Sequence, residues 1–263
     1  MTLGPSNPNI KRIRKLAQKA SFRRDEGAFL VEGPRAVEAA LRSGTELEGL
    51  YFSSDLPGEW RHLLDAAAET HVSIHEADAH ALQSALDAET PQGVAVIARM
   101  ASEDSLPPLT AGPMVVLDEV RDPGNSGTIL RSAHAAGVAT VVFLPGSVDP
   151  FNPKTVRSSA GSICFVRCRR PASKSDFLSE ALDAGCRLLG TSGERGSSCF
   201  ESDLTGAVAL VVGNEGSGIT PEVASRISEW VRIPTATSLE SLNVAIAASV
   251  LLFEALRQRG GSL

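Results

Sequence analysis

Asn125 and Arg131 stand six residues apart in "DEVRDPGNSGTILRSA" (118–133), directly after the apolar run at 114–117. An amide and a guanidinium at that separation can converge on one anionic ligand. The plainer reading stays open: Arg131 as a surface residue, and Asn125 or Ser126 as the cap of a helix starting near Gly127. A second stretch, "LVVGNEGSGI" (210–219), places Gly213, Gly216 and Gly218 after a strand pattern and sets Glu215 among them. Glycines let a ligand approach backbone N–H groups, and a carboxylate there can pair with an arginine or accept from a bound hydroxyl. The pattern matches neither G-x-G-x-x-G nor a P-loop. A third stretch, "RIPTATSLESLNV" (232–244), leads into the last helix. Thr237 and Glu240 fit a capping box, which leaves Ser241 and Asn243 without a capping task. Two apolar stripes follow, Leu242–Ile246–Ser249–Phe253 and Val244–Ala248–Leu251–Ala255, and predict a helix buried on most sides. A buried Asn243 lacking partners would cost about 1–3 kcal/mol, so the Ser241/Asn243 pair favours a site over a cap. A fourth segment, "DPFNPKTVRSSAGS" (149–162), reads either as a helix stopped at Gly161 or as a loop turning Lys154 and Arg157 toward phosphate.

Positioning these residues requires a sheet. Helical patterns at 8–20, 34–43, 59–70 and 79–88 alternate with strand patterns at 28–32, 47–53, 72–75 and 93–99. "ASEDSLPPLTAGP" (101–113) interrupts the alternation and reads as a linker. Beyond it, strand patterns at 114–120, 140–144, 163–167, 187–191, 208–212 and 230–233 alternate with helices. Val- and Leu-rich strands between helices predict a mostly parallel sheet covered on both faces. The expected organisation is two α/β domains, a smaller one at 1–100 and a larger one at 113–263, joined by 101–112.

Charge is distributed unevenly. The whole chain carries −6, yet Lys11, Arg12, Arg14, Lys15, Lys19, Arg23 and Arg24 bring seven positive charges and no acid to the first 24 residues. That clustering suits a local nucleic-acid contact, and equally a solvated amphipathic helix anchored by Ile10, Ile13, Leu16 and Ala17. Cys164, Cys168, Cys186 and Cys199 offer no second pair at zinc spacing, and His71, His75 and His80 have no acidic or thiol partner at suitable spacing, so no metal is expected. No run of about 18 apolar residues and no secretory leader pattern is apparent, which places the expected protein in the cytoplasm.

Together, "LDEVRDPGNSGTILRSA", "LVVGNEGSGI" and "IPTATSLESLNVAIAASVLLFE" resemble, in order and spacing, the motifs of the SpoU/TrmH family of RNA 2′-O-ribose methyltransferases, of the SPOUT class. The likeness covers roughly 113–258, with Thr235 standing where the family often has Met. "FLVEGPRAVEAAL" looks like the family's substrate-binding domain, which has a fold similar to a small ribosomal protein. The resemblance implies a SPOUT sheet with a deep trefoil knot, a homodimer, and S-adenosyl-L-methionine as methyl donor. It implies active-site positions at Asn125, Arg131, Glu215, Ser241 and Asn243, and cofactor contacts at Gly213, Asn214, Gly218, Ile233 and Leu242. Lys11, Arg12, Arg14, Lys15, Arg23, Arg24 and Arg157 are the expected RNA contacts. Ribosomal RNA is favoured over transfer RNA because of the extra N-terminal domain. The competing expectations are a transfer-RNA 2′-O-methyltransferase and a non-catalytic RNA-binding ribosome-assembly factor.

Overall fold

Asn7 accepts from the Asn9 N–H and Pro8 fills the first helical position, so helix α1 (Pro8–Gln18) starts where its caps dictate. Its stripe of Ile10, Ile13, Leu16 and Ala17 is buried. The computed structural model describes residues 2–102, 106–236 and 242–260. These form two units: Met1–Ala101 with Phe151–Phe165, and Ser102–Pro150 with Val166–Leu263. A second domain running unbroken from 113 was expected; instead 151–165 leave it and complete the first unit. The expected linker also differs, because Cys186 Sγ donates to the Leu109 carbonyl (3.4 Å) and Leu109 joins the second unit's core.

In the first unit α1 is followed by a short α2 (Ala20–Glu26), which the helical pattern at 8–20 leaves out. Strands β1 (Ala28–Glu32), β2 (Leu47–Ser53), β3 (Ser73–Ala77) and β4 (Val94–Arg99) form a sheet in the order β1-β4-β2-β3. Only the β2/β3 pair is parallel. The α1 stripe joins Leu30, Tyr51, Ala95 and Ile97 in one apolar cluster. Helices α3 (Pro34–Arg42), α4 (His62–Glu69) and α5 (Ala79–Gln83) lie between the strands. Phe151 meets Phe29 of β1 at 4.8 Å between ring centroids. The 151–165 segment carries helix α7 (Pro153–Ser158), numbered after α6 (Pro123–Ala135) of the other unit. Positive φ at Ala160 (48°) and Gly161 (86°) ends α7 and turns the chain into a 3-10 turn at Ser162–Cys164. The strand expected at 163–167 is therefore absent: Ile163 and Cys164 are buried in that turn, and the strand begins at Arg167.

The second unit holds β5 (Met114–Asp118), β6 (Thr140–Phe143), β7 (Arg167–Arg169), β8 (Arg187–Thr191), β9 (Ser197–Ser198), β10 (Val208–Gly213) and β11 (Glu229–Arg232). All pairs are parallel, in the order β7-β6-β5-β10-β8-β11-β9. Helices α6 (Pro123–Ala135), α8 (Lys174–Asp183), α9 (Pro221–Ala224) and α10 (Val244–Gln258) cover it. Phe177, Leu178 and Ala181 of α8 pack on Met114, Val116, Val142 and Val211. On α6 and α10, Ser132 Oγ and Ser249 Oγ lie 2.6 Å apart. The chain leaves β5 toward β6 and leaves β10 toward β11, in opposite directions from two adjacent strands. Sheets of this kind bind ligands at such a reversal, outside the strands' carboxyl ends.

Candidate active site at the strand reversal

The loops after β5 and β10 are bound to each other by the polar residues that end these strands. Asp118, fully buried, accepts from the Thr220 N–H (2.6 Å) and pairs with Lys174 Nζ (2.8 Å) at the start of α8. Glu119 follows with φ 57°, a left-handed conformation costing a non-glycine residue about 1–3 kcal/mol. Its side chain pairs with Lys174 (3.1 Å) and Arg121 (2.6 Å), and its carbonyl accepts from Asn214 Nδ2 (3.1 Å). The Lys174 ammonium, with Arg121, holds the Glu119 carboxyl below the usual carboxylate range. The left-handed turn is thus held at both its side chain and its backbone.

Gly213 ends β10 because nothing larger fits. A β-carbon there would lie 2.2 Å from the Gly218 carbonyl carbon, which means the loop folds back onto its own strand. Asn214 closes the loop through paired backbone bonds with Gly218 (3.0 and 2.9 Å), while its Oδ1 accepts from the Gly216 and Ser217 N–H groups. Glu215 is left at the tip, exposed.

From that tip a directional chain of hydrogen bonds runs across three motifs. Asn125 Nδ2 donates to Glu215 Oε1 (2.5 Å), and Asn243 Nδ2 donates to Asn125 Oδ1 (3.0 Å). Asn243 Oδ1 then accepts from the Ala245 and Ile246 N–H groups (3.0 and 3.3 Å). An ionised carboxylate only accepts and helix N–H groups only donate, so the two ends fix both amide orientations between them. The structure brings together three of the five expected active-site residues, Asn125, Glu215 and Asn243. Arg131 is exposed on α6 and takes no partner among the described residues. Ser241, with Thr237 and Glu240, lies outside the described residues.

Two local expectations are corrected. Helix α6 begins at Pro123 with Asp122 as its cap, accepting from the Asn125 N–H (2.8 Å), so Asn125 sits inside the first turn with its amide available. Asn243 is itself the cap of α10 and is exposed, not buried. It caps α10 and joins the relay at once. The helix is also less enclosed than its composition suggests, with Ile246 54% and Phe253 49% exposed.

Beside the relay lies a cavity of 670 Å³ at the carboxyl ends of β8, β10 and β11. All five expected cofactor contacts, Gly213, Asn214, Gly218, Ile233 and Leu242, line it. So do Thr191, Ser192, Glu194, Arg195 and Trp230, which the sequence reading missed. Their signal was the glycine-bearing "TSGERGSS" stretch directly after the strand pattern at 187–191.

The expected RNA contacts divide. Arg23 is 3% exposed and donates to the Leu16 (2.8 Å) and Ala17 (3.4 Å) carbonyls, which ties α2 to α1. Arg12 pairs with Glu26 (2.8 Å) and Glu48 (2.5 Å), and Arg157 with buried Glu32 (2.6 Å) and with Asp87 (3.1 Å). These three side chains are engaged in holding the first unit together. Lys11, Lys15 and Arg24 remain exposed, and Arg14 reaches Ser84 Oγ at 3.0 Å.

Residues 112–253 match the model of the SpoU rRNA Methylase family, and residues 7–96 that of the MRM3-like substrate binding domain. The chain is 33% identical over 250 residues to the 23S rRNA (guanosine(2553)-2′-O)-methyltransferase RlmP of Bacillus subtilis, covering 94% of this chain and 95% of that one. Its structure is similar to that of the SpoU methyltransferase AviRb from Streptomyces viridochromogenes in complex with AdoMet. The TM-score is 0.82 at 29% identity, over 97% of this chain and 100% of the other. It is also similar to an AdoMet-bound rRNA methyltransferase from Sinorhizobium meliloti, with a TM-score of 0.81 and 31% identity over 98% and 97%.

Proposed function

Since the chain belongs to the SpoU rRNA methylase family, we propose that it transfers a methyl group from S-adenosylmethionine to a ribose 2′-hydroxyl of large-subunit ribosomal RNA. The observation that carries this reading is the Glu215–Asn125–Asn243 relay beside the cavity. A 670 Å³ cavity falls in the range of small-molecule sites, and this one combines apolar Ile219, Ile233 and Leu242 with Glu194, Glu215 and exposed loop backbone. That lining suits a nucleoside joined to an amino acid. The bound sulfonium supplies a methyl group already activated for displacement.

The chain's residues then have to align and stabilise. A ribose hydroxyl is a weak nucleophile, so holding it in line with the methyl group and stabilising the charge growing on its oxygen are the main tasks. Asn125 and Asn243, fixed in orientation, form the polar wall nearest the glycine loop. Arg131, with no partner among the described residues, serves as a clamp on the developing alkoxide or on an adjacent phosphate. A guanidinium does not give up its proton at neutral pH, so Arg131 acts through charge. Ser241 completes this wall by motif.

The same reading includes a homodimer joined through the apolar side of α10, supported by exposed Ile246 and Phe253, and a chain path threaded as a trefoil knot. The first unit binds RNA through Lys11, Arg14, Lys15 and Arg24, and the protein works in the cytoplasm. Incubation with radiolabelled methyl donor and either ribosomal or transfer RNA, followed by nucleoside digestion, tests the proposal. Label in a 2′-O-methylnucleoside from ribosomal RNA is expected. Label in neither RNA, with no binding of the donor, would leave a non-catalytic RNA-binding role.

A further inference from the structure

Trp230 lies in the cavity wall, and Arg195 covers it. The Arg195 guanidinium carbon stands 3.5 Å from the centroid of the Trp230 ring, and both residues line the cavity. The indole is fixed from below. Trp230 of β11 pairs in register with Gly190 of β8, and a β-carbon on Gly190 would lie 2.9 and 3.0 Å from indole carbons Cζ3 and Cε3. The ring therefore rests on a position that only glycine leaves vacant. Arg195 is exposed, and its backbone N–H, with that of Glu194, donates to Ser192 Oγ (3.2 Å each). Its guanidinium has no ion pair among the described residues. A fixed aromatic face inside a nucleoside-sized cavity is thus covered by one exposed side chain, held by a cation–π contact.

We propose that the Trp230 indole is the stacking surface for the adenine ring of the methyl donor, and that Arg195 is a displaceable cover over it. This rests on the reading of the cavity as the donor site. A planar aromatic ring gains from stacking on indole, but only once the guanidinium has moved aside. The cover therefore competes with the adenine and lowers the donor's apparent affinity by the fraction of time it is closed. An exposed cation–π contact corresponds to about a two- to fivefold effect on binding. The same competition weakens binding of the demethylated product, which carries the same adenine.

The test uses the full chain with Trp60→Phe, so that Trp230 is the remaining tryptophan of the two. Titrations with S-adenosylmethionine, S-adenosylhomocysteine, adenosine and methionine are followed by tryptophan emission and by calorimetry. The first three ligands are expected to quench Trp230, and methionine is not. Arg195→Ala is expected to tighten the three adenine ligands two- to fivefold, and Trp230→Leu to weaken them. Trp230→Phe, which keeps an aromatic ring on Gly190, retains an intermediate affinity if Leu impairs folding. Donor binding by calorimetry that leaves Trp230 emission unchanged, or that Arg195→Ala weakens, overturns the cover while leaving the methyltransferase reading intact. No binding of either adenosyl ligand overturns both.

Discussion

Arg157 in the first unit and Arg131 in the second carry the same guanidinium to opposite ends. Arg157 is closed around Glu32 and Asp87, as Arg12 is around Glu26 and Glu48, so their charges are neutralised within the unit. Arg131 lies six residues along α6 from Asn125 of the relay and is itself left without a partner among the described residues. Charge density along the sequence therefore marks where cations lie, whereas the structure shows which are free to meet a ligand. Free charge beside satisfied polar groups is the mark of the site.

Several changes would break or sharpen that contrast. The largest effect is expected at Lys174, whose replacement by Met leaves Asp118 buried and unpaired. A loss of about 3–5 kcal/mol in urea unfolding follows. Arg131→Ala should leave unfolding within about 0.5 kcal/mol of the parent. Its single-turnover methyl transfer should fall about 10²–10³-fold, the effect of losing one charge-stabilising group. A stability loss with unchanged transfer would place Arg131 with Arg157 instead. Arg157→Ala is expected to cost about 1–3 kcal/mol by stranding Glu32, and to leave RNA affinity near that of the parent. Calorimetric unfolding paired with an RNA titration reads both.

Acid should expose the difference in a graded way. Glu48 beside Arg12, Glu119 beside Lys174 and Glu254 beside Arg257 all have carboxyl groups held below their ordinary 4.5. Each binds its proton more weakly folded than unfolded, so its stabilisation is complete above that value and is lost as pH falls below it. Melting temperature should accordingly be flat above about pH 5 and drop below pH 4.5. The smallest effect belongs to the exposed cations of α1. Lys11→Gln or Lys15→Gln should weaken RNA binding modestly and reduce the slope of affinity against salt by about one each. Arg12→Gln should not change that slope.

Much of this arrangement was legible in the sequence. Strands β1, β2 and β8 begin and end where alternation and turn residues place them, because buried strands carry the least ambiguous pattern. The three motifs were visible as polar and glycine-bearing stretches where strand patterns give way to helices. The return of 151–165 to the first unit was not visible, since Phe151 and Ile163 show that they are apolar but not which core they enter. Nor was the pairing of Arg12, Arg23 and Arg157, because their partners lie in other elements. Trp230 escaped notice for a related reason: its role depends on Gly190, forty positions earlier and adjacent only through the sheet.

The most direct test of the account is transfer of labelled methyl from S-adenosylmethionine to ribosomal RNA by the parent chain and by Asn125→Ala, with donor affinity measured on both. Label on ribose 2′-oxygen with the parent is predicted. Asn125→Ala, with the middle of the relay removed, should bind the donor near parental affinity and lose most of the transfer rate. Equal ribose labelling by both chains would contradict the assignment of the Glu215–Asn125–Asn243 relay as the reacting wall of the site.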